Sequence, residues 1–173
     1  MKTLWTIGHS TREFDGFLEL LQSNGIETLA DVRHYPGSRK FPQYNKDQLE
    51  NSLPKKNIEY IHLVDLGGRH KVQPNSKNDA WRNASFQGYA DYMKTVTFKN
   101  ALEKLKEIAS EKRTAIMCSE AVWWRCHRSM IADILKAEGW TVLHIMAENN
   151  MPEHPFTSPA KVVDGKLDYS KKS

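Results

Sequence analysis

The sequence has few cysteines and no long apolar run. Only two of its 173 residues are cysteine, which is too few for the disulfide framework of a small secreted protein. No stretch approaches the roughly 18 apolar residues of a membrane-spanning helix. The N-terminal stretch turns polar too soon for a signal peptide. We therefore expect a cytoplasmic protein with reduced thiols and no membrane partner.

The excess of positive charge is small, and the sequence contains no repeat or low-complexity tract. Lysine and arginine number 25 against 21 acidic residues, which gives a formal net charge of +4. This mild basicity permits an anionic partner without requiring one. A chain of this length suits one domain with a sizeable core. We expect a single domain over 1–173, with its core at about 3–146 and an extended tail from about 147.

Apolar runs alternate with amphipathic stretches along the chain, which predicts an α/β fold. The expected strands lie at 3–7, 26–32, 58–64, 113–118 and 140–146. The opening order of strand, helix and strand implies a crossover and parallel pairing. We expect a Rossmann-like, largely parallel sheet of about five strands flanked by helices. The dipeptide Asp164-Gly165 predicts a C-terminal β-hairpin, followed by a frayed end at Lys171-Lys172.

Local signals predict where three helices begin. Ser10 and Glu13 have the spacing of a capping box, so the first helix should begin at Ser10. Asn45 is expected to cap a short helix that runs through Leu53. The last long helix is expected at about 126–138, with a glycine directly after it.

A polar cluster follows each of the first four predicted strands. In parallel α/β sheets, ligands bind beyond the carboxyl ends of the strands. Loops that leave the same edge of one sheet can converge, so we expect these clusters to form one binding site. The expected ligand-binding residues are His9, Ser10, Asp31, Arg33, Ser38, Arg39, Gly67, Gly68, Arg69, Cys126 and Arg128.

The chemistry of these clusters favours an anionic ligand. The guanidinium fork of arginine matches phosphate and carboxylate, and free amides at a helix N-terminus attract anions. Stacking faces for bases are available from Tyr35, Trp81, Trp123 and Trp124. Together these features favour a nucleotide or nucleic acid over an apolar ligand. The competing interpretation is that the arginines pair with nearby acids and the tryptophans belong to the core.

The segment 115–128 contains the three expected catalytic residues, Cys118, Glu120 and His127. Cys118 lies at a strand end before a helix N-terminus, the setting in which cysteine phosphatases and rhodaneses hold their nucleophile. The phosphatase pattern fails in detail, because six residues rather than five separate Cys118 from Arg125. Glu120 and His127 are the best acid–base candidates, and Asp31 is a third.

Other interpretations of the two cysteines stay open. A buried structural role for the Cys118 thiol fits the sequence somewhat better than a nucleophilic one. Zinc ligands usually occur as pairs two to four residues apart, whereas seven residues separate Cys118 from Cys126. A disulfide between them would make a redox switch, although a reducing compartment disfavours it. The sequence assigns no metal site and no cofactor.

Several short motifs occur in a fixed order between about residues 4 and 146. They are Gly8-His9-Ser10 with Phe14 and Leu18, Asp31-Val32-Arg33, Pro36-x-Ser38-Arg39, Tyr60, Leu66-Gly67-Gly68-Arg69, Phe86-x-x-Tyr89-Ala90-x-Tyr92-Met93, Cys118-x-Glu120 and Cys126-His127-Arg128. In this combination the sequence resembles the bacterial and archaeal family called domain of unknown function 488. The resemblance implies a single α/β domain and marks the polar motif positions as the family's signature. It supplies no activity.

We therefore expect an enzyme, or an enzyme-like domain, that acts on a phosphorylated ligand such as a nucleotide or nucleic acid. Arginine side chains would hold the anion, while Glu120 and His127 would handle protons. The four arginines in question are Arg33, Arg39, Arg69 and Arg128. Two alternatives are a non-catalytic nucleic-acid-binding module and a metal-binding or redox-sensing protein centred on Cys118 and Cys126.

Overall fold

Five strands form one parallel sheet in the computed structural model, which describes residues 2–171. The strands are β1 (Thr3–Gly8), β2 (Thr28–Asp31), β3 (Glu59–His62), β4 (Thr114–Cys118) and β5 (Thr141–Ile145). Their order across the sheet is β3-β2-β4-β1-β5, and every pairing is parallel. The predicted parallel α/β fold is confirmed.

Helices cover both faces of this sheet. They are α1 (Phe14–Ser23), α2 (Lys46–Ser52), α3 (Ala84–Tyr92), α4 (Val96–Glu111) and α5 (Arg128–Ala137). Apolar residues of α1 and α2 form one core with one face of the sheet, and those of α3, α4 and α5 form a second core with the other. None of the described helices is long and apolar enough to span a bilayer.

Side chains along β4 alternate between the two cores. Ala115 and Met117 belong to the core beneath α1 and α2, whereas Ile116 belongs to the core on the other face. Successive residues of a strand point to opposite faces, so a strand covered by helices on both sides must be apolar throughout. All five residues of β4 are buried.

The C-terminal tail ends in the predicted hairpin, formed by β6 (Lys161–Val163) and β7 (Lys166–Asp168). Asp164 and Gly165 have φ values of 52° and 76°, the signs that a two-residue type I′ turn requires. The prediction of fraying was wrong for Lys171, whose backbone N–H donates to Asp79 Oδ1 at 2.9 Å. Lys172 lies outside the described residues.

One predicted helix start was wrong and another was two residues early, both at the edge of the sheet where the site lies. Ser10 does not cap α1, because its φ is +51° and its backbone N–H donates to Ser119 O at 2.9 Å. The helix begins four residues later, at Phe14. Cys126 adopts an extended conformation after a short 3₁₀ turn, so α5 begins at Arg128.

Candidate functional site

A cavity of about 680 Å³ lies at the carboxyl ends of β1, β2 and β4. Residues from the loops after the first four strands line it, so the structure brings most of the predicted set together. The predicted residues on its wall are His9, Ser10, Arg33, Ser38, Gly68, Arg69, Cys118, Glu120, Cys126 and His127.

Four predicted residues do not line the cavity. Asp31 and Arg128 are fully buried behind its wall, and Arg39 is exposed elsewhere on the loop after β2. Gly67 lies beneath the wall, where a Cβ atom would come within 2.9 Å of the backbone at His34 and Val64. Gly67 therefore permits the loops after β2 and β3 to pack together.

Arg33 is held by a buried carboxylate. Its guanidinium donates to Asp31 Oδ1 at 2.9 Å and to Asp31 Oδ2 at 2.7 Å, a bidentate pair. It also donates to the carbonyl of Tyr44 at 2.6 Å, while Tyr60 Oη donates to Asp31 at 2.5 Å. Because Asp31 balances its charge, Arg33 supplies shape and hydrogen-bond donors to the cavity more than net positive charge.

His9 lines the cavity as a neutral imidazole. Its Nδ1 lies 2.9 Å from the carbonyl of Ser10, which can only accept, so Nδ1 carries the proton. The unprotonated Nε2 lies 3.4 Å from Arg33 Nη1. Burial, with a contribution from the charge of Arg33, lowers the pKa of His9. The ring stacks on Tyr44 at 4.4 Å between centroids.

Arg128 organises the loop after β4 from below. Its Nη1 donates to Cys118 Sγ at 2.7 Å and to the carbonyl of Glu120 at 2.6 Å, and its Nη2 donates to the carbonyl of Ala121 at 3.3 Å. The side chain is 0% exposed. The expected contact between Arg128 and an anion is therefore replaced by contacts with the protein's own thiol and loop carbonyls.

The two cysteines lie side by side on the cavity wall. Their Sγ atoms are 2.6 Å apart, and both residues carry free thiols. The backbone N–H of Arg128, at the N-terminus of α5, donates to Cys126 Sγ at 3.4 Å. A helix N-terminus and a nearby guanidinium both favour a thiolate.

The two thiols differ in acidity. Burial opposes ionisation of Cys126, but the hydrogen bond between the thiols and the charge of Arg128 lower the pKa of Cys126 below its ordinary value. Burial and the adjacent sulfur raise the pKa of Cys118. The pair should therefore lose one proton readily and retain the second. Sequence reasoning had selected Cys118 as the catalytic thiol, whereas this environment favours Cys126 as the nucleophile.

The unprotonated ring nitrogen of His127 faces the two thiols. Its Nε2 lies 2.9 Å from the carbonyl of Val32, so Nε2 carries the proton. Its Nδ1 lies 3.6 Å from Cys126 Sγ. Burial lowers the pKa of His127, which keeps the imidazole neutral and able to accept a proton.

Two arginines on the cavity wall have no carboxylate partner within residues 2–171, Arg69 and Arg125. Both are exposed. The guanidinium of Arg69 lies 5.8 Å from the centroid of the Tyr35 ring, and Tyr35 is itself 72% exposed. These side chains supply exposed positive charge and a stacking face on the wall of the cavity.

Backbone strain occurs at two residues of the wall. Ser10 and Arg69 adopt positive φ values of 51° and 71° without being glycine. Such conformations cost about 1–3 kcal/mol each and often occur at functional sites. The loops therefore hold these two residues in positions that relaxed backbone would not adopt.

Ser38 has a structural role in the loop after β2. Its hydroxyl accepts from the backbone N–H groups of Lys40 and Phe41, at 3.1 and 3.2 Å. Asn45 precedes α2 as predicted, but its side chain does not cap the helix. Its Oδ1 accepts from the backbone N–H of Ser38 at 2.6 Å instead. Both side chains shape the loop that forms one wall of the cavity.

Sequence reasoning left several wall residues out of the expected site. The most relevant is Arg125, which follows the fourth strand but was not included in the expected ligand-binding set. Aromatic side chains of the wall were missed because core and site aromatics look alike in a sequence. These side chains are Phe41, Phe86 and Tyr89, whereas Tyr35, expected as a stacking face, does line the cavity.

A family model matches most of the chain. The family model described as "Domain of unknown function DUF488" matches residues 13–135. The chain belongs to the DUF488 family. The matched region contains the wall residues that follow β2, β3 and β4, whereas His9, Ser10 and the C-terminal tail lie outside it. No curated protein and no solved structure matches the chain.

The DUF488 match describes a family without an assigned activity, so the chemistry must come from the cavity. Within residues 2–171, no group of three or more His, Cys, Asp or Glu side chains is arranged to hold a metal ion. The chemical groups on the wall include a thiol pair, the imidazoles of His9 and His127, one carboxylate and two unpaired guanidinium groups. This set can bind an anion, transfer protons and provide a sulfur nucleophile.

Proposed function

We propose that this protein is an enzyme acting on a phosphorylated ligand, a nucleotide or nucleic acid, in the cavity at the strand ends. The observation that carries the proposal is the pair of unpaired arginines, Arg69 and Arg125, on the same wall as His127, Glu120 and the thiols. Guanidinium groups without an internal acid are free to form bidentate contacts with phosphate.

Proton transfer in this proposal belongs to His127 and Glu120. Neutral His127 can accept a proton at Nδ1, the nitrogen that faces Cys126. Glu120 is exposed at the cavity and can donate or accept a proton at the ligand. A reducing, cytoplasmic setting is part of the proposal, and the two free thiols are consistent with it.

Thermal unfolding in the presence of a panel of ligands tests whether the protein binds a phosphorylated ligand. The panel contains inorganic phosphate, nucleoside monophosphates and triphosphates, and short DNA and RNA. A ligand at 100 times its Kd stabilises by about 2.7 kcal/mol, which raises Tm by roughly 5–10 °C for a domain of this size. Arg69→Ala and Arg125→Ala should remove the shift. Arg39→Ala, which changes an exposed arginine outside the cavity, should retain it.

Turnover distinguishes an enzyme from a binding module. Glu120→Gln should abolish conversion of the bound ligand with little loss of affinity if Glu120 transfers a proton. Under the non-catalytic alternative, no conversion occurs and Glu120→Gln tightens binding, because a negative charge that repels phosphate is removed. If no ligand shifts Tm, or if Arg39→Ala removes the shift as well, the cavity is not the phosphate site.

The distance between the thiols favours a second candidate function, reversible oxidation of Cys118 and Cys126. At 2.6 Å the two Sγ atoms can form a disulfide without a change of fold. Exposure to a mild excess of peroxide or oxidised glutathione should then remove two titratable thiols and two hydrogen masses, and dithiothreitol should restore both. Retention of both thiols would exclude this function.

A further inference from the structure

A second groove, lined by aromatic side chains, lies beside the cavity. It has a volume of about 900 Å³. The aromatic residues on its wall are Trp81, Phe86, Trp123, Trp124 and Phe156. We call it the aromatic groove. Trp124 is 52% exposed, which is unusual for the largest apolar side chain and marks a surface available to a ligand.

Rigid neighbours hold these rings in place. Trp123 stacks on the buried His144, with centroids 4.8 Å apart and an interplanar angle of 4°. Trp124 stands perpendicular to Trp123 at 5.4 Å. Trp81 packs edge to face on Phe86 at 5.1 Å. The rings therefore form a preorganised surface, which lowers the entropic cost of stacking a planar ligand.

The charge of the aromatic groove is positive. Arg82, Lys161 and Lys171 line it, and its lining within the described residues contains no aspartate or glutamate. None of these three side chains forms an ion pair within residues 2–171. An apolar peptide or a second apolar surface would gain nothing from these cations, whereas a polyanion with planar groups would gain from both features.

The aromatic groove adjoins the cavity. Phe86 lines both, and the adjacent residues Trp124 and Arg125 line one each. A ligand long enough to pass Phe86 can therefore place a phosphate near Arg125 and a planar group against Trp124. A single mononucleotide in the cavity does not need this second surface.

We propose that the aromatic groove binds the unstacked bases of a single-stranded nucleic acid whose phosphate backbone continues into the cavity. This inference rests on the proposed function and narrows its ligand to a single strand rather than a free nucleotide. Bases in a duplex are already stacked and paired, so the rings of the groove can stack only on bases that are free. Positive side chains beside aromatic faces are the usual composition of such sites.

Fluorescence polarisation with labelled oligothymidylates of increasing length tests the proposal on the full-length protein. Affinity should rise from the mononucleotide to a strand of about 8 nucleotides. Trp124→Ala should lower affinity for that strand by about tenfold, while affinity for thymidine monophosphate stays unchanged. Trp124→Phe retains a stacking face and should lose much less. Because Trp124 is exposed, neither change should unfold the protein, as circular dichroism will verify.

A charge variant with a matched control provides the second measurement. Arg82→Ala should weaken binding of the strand several-fold and reduce its salt dependence. Lys104→Ala removes one exposed positive charge from α4, outside the groove, and should leave affinity unchanged. An equal loss in both variants would mean non-specific attraction to the protein's net charge and would overturn the proposal.

The results separate failure of the groove from failure of the cavity. One outcome is that thymidine monophosphate binds and Arg69→Ala weakens this binding, while strand length and Trp124→Ala have no effect. The proposed function of the cavity is then supported, and the groove proposal is overturned. If the strand binds through Trp124 while monophosphate does not bind and Arg69→Ala has no effect, the groove stands without the cavity. Equal affinity for duplex and single strand would also overturn the groove proposal.

Discussion

At the scale of single residues, the two cysteines show how the acidity of a thiol depends on its position in the fold. Both are nearly fully buried, with Cys126 6% exposed. Only Cys126 also receives a backbone N–H from the N-terminus of α5. Arg128, which donates to Cys118 at 2.7 Å, supplies a positive charge to both. The same residue type therefore has different acidity at positions eight residues apart.

We expect the thiol pair to titrate in two separated steps. Burial is outweighed at Cys126 by its thiol partner and Arg128, which lower the pKa of Cys126, so thiolate absorbance should appear below the ordinary thiol pKa of about 8.5. Cys126→Ser should leave only the late step of Cys118, whose pKa is raised by burial and by its neighbour. Cys118→Ala should move the early step upward, since Cys126 loses its hydrogen-bond partner.

Equal titration of both single variants would contradict this assignment. Incorporation of iodoacetamide, followed by mass spectrometry, provides an independent check, because alkylation follows the thiolate. Cys126 should be labelled first in the wild-type protein.

At the scale of elements, the contact between the end of β1 and the loop after β4 depends on a glycine. A Cβ atom at Gly8 would lie 1.6 Å from the carbonyl of Glu120 and 2.8 Å from Arg128 Nη1. No side chain fits there, since Arg128 must also reach Cys118 and the loop carbonyls. The base of the cavity therefore depends on the close approach of β1 to the loop after β4.

Gly8→Ala should therefore destabilise the protein by about 1–3 kcal/mol, measured by urea unfolding, and should weaken ligand binding. Gly16→Ala is the matched control, because Gly16 lies in α1 with open space around its Cβ position. That change should stabilise by about 0.5–1 kcal/mol, since alanine favours the helix interior. A neutral Gly8→Ala would mean that the loop after β4 is free to move away.

At the scale of the whole molecule, buried polar contacts attach the C-terminal tail to the sheet. Asp133 accepts from Tyr169 Oη at 2.6 Å and from the backbone N–H of Thr157 at 3.0 Å. It also accepts from His154, which lies 2.8 Å from His144. His144 in turn lies 2.6 Å from Thr6 Oγ1 on β1. A chain of hydrogen bonds thus runs from the tail to β1 of the sheet.

This chain should make stability sensitive to acid. Burial and the neighbouring His154 hold the pKa of His144 at about 2 in the folded protein, against about 6.5 when unfolded. Only the unfolded state binds the proton between these values, so His144 adds no pH dependence above about pH 7 and lowers the free energy of unfolding as pH drops below about 6.5. His9 and His127, whose pKa values are lowered by burial, act in the same direction.

Urea midpoints at a series of pH values measure this dependence. His144→Gln removes one of the contributing groups and should make the fall below about pH 6.5 less steep. Stability that rises on acidification through this range would show that these histidines are not buried neutral.

Local sequence signals were sufficient for some elements and insufficient for others. The five strands and the Asp164-Gly165 hairpin follow from apolar runs and turn chemistry within a few residues. The capping signal at Ser10 failed because its backbone bonds to Ser119, which is distant in sequence. Asn45 does precede α2 as predicted, yet its side chain accepts a hydrogen bond from the backbone of Ser38 instead of capping the helix. Competing tertiary hydrogen bonds decided both cases.

The sequence by itself determined the parallel α/β class, the strand-end location of the polar residues and the family signature, because hydrophobic period and short motifs are local properties. Only the tertiary structure decided which polar residues face the cavity. It buried Arg128 and Asp31 as partners of other groups and left Arg69 and Arg125 unpaired in the described chain. The physical reason is that ion pairing, burial and thiol acidity depend on distances between residues that lie far apart along the chain.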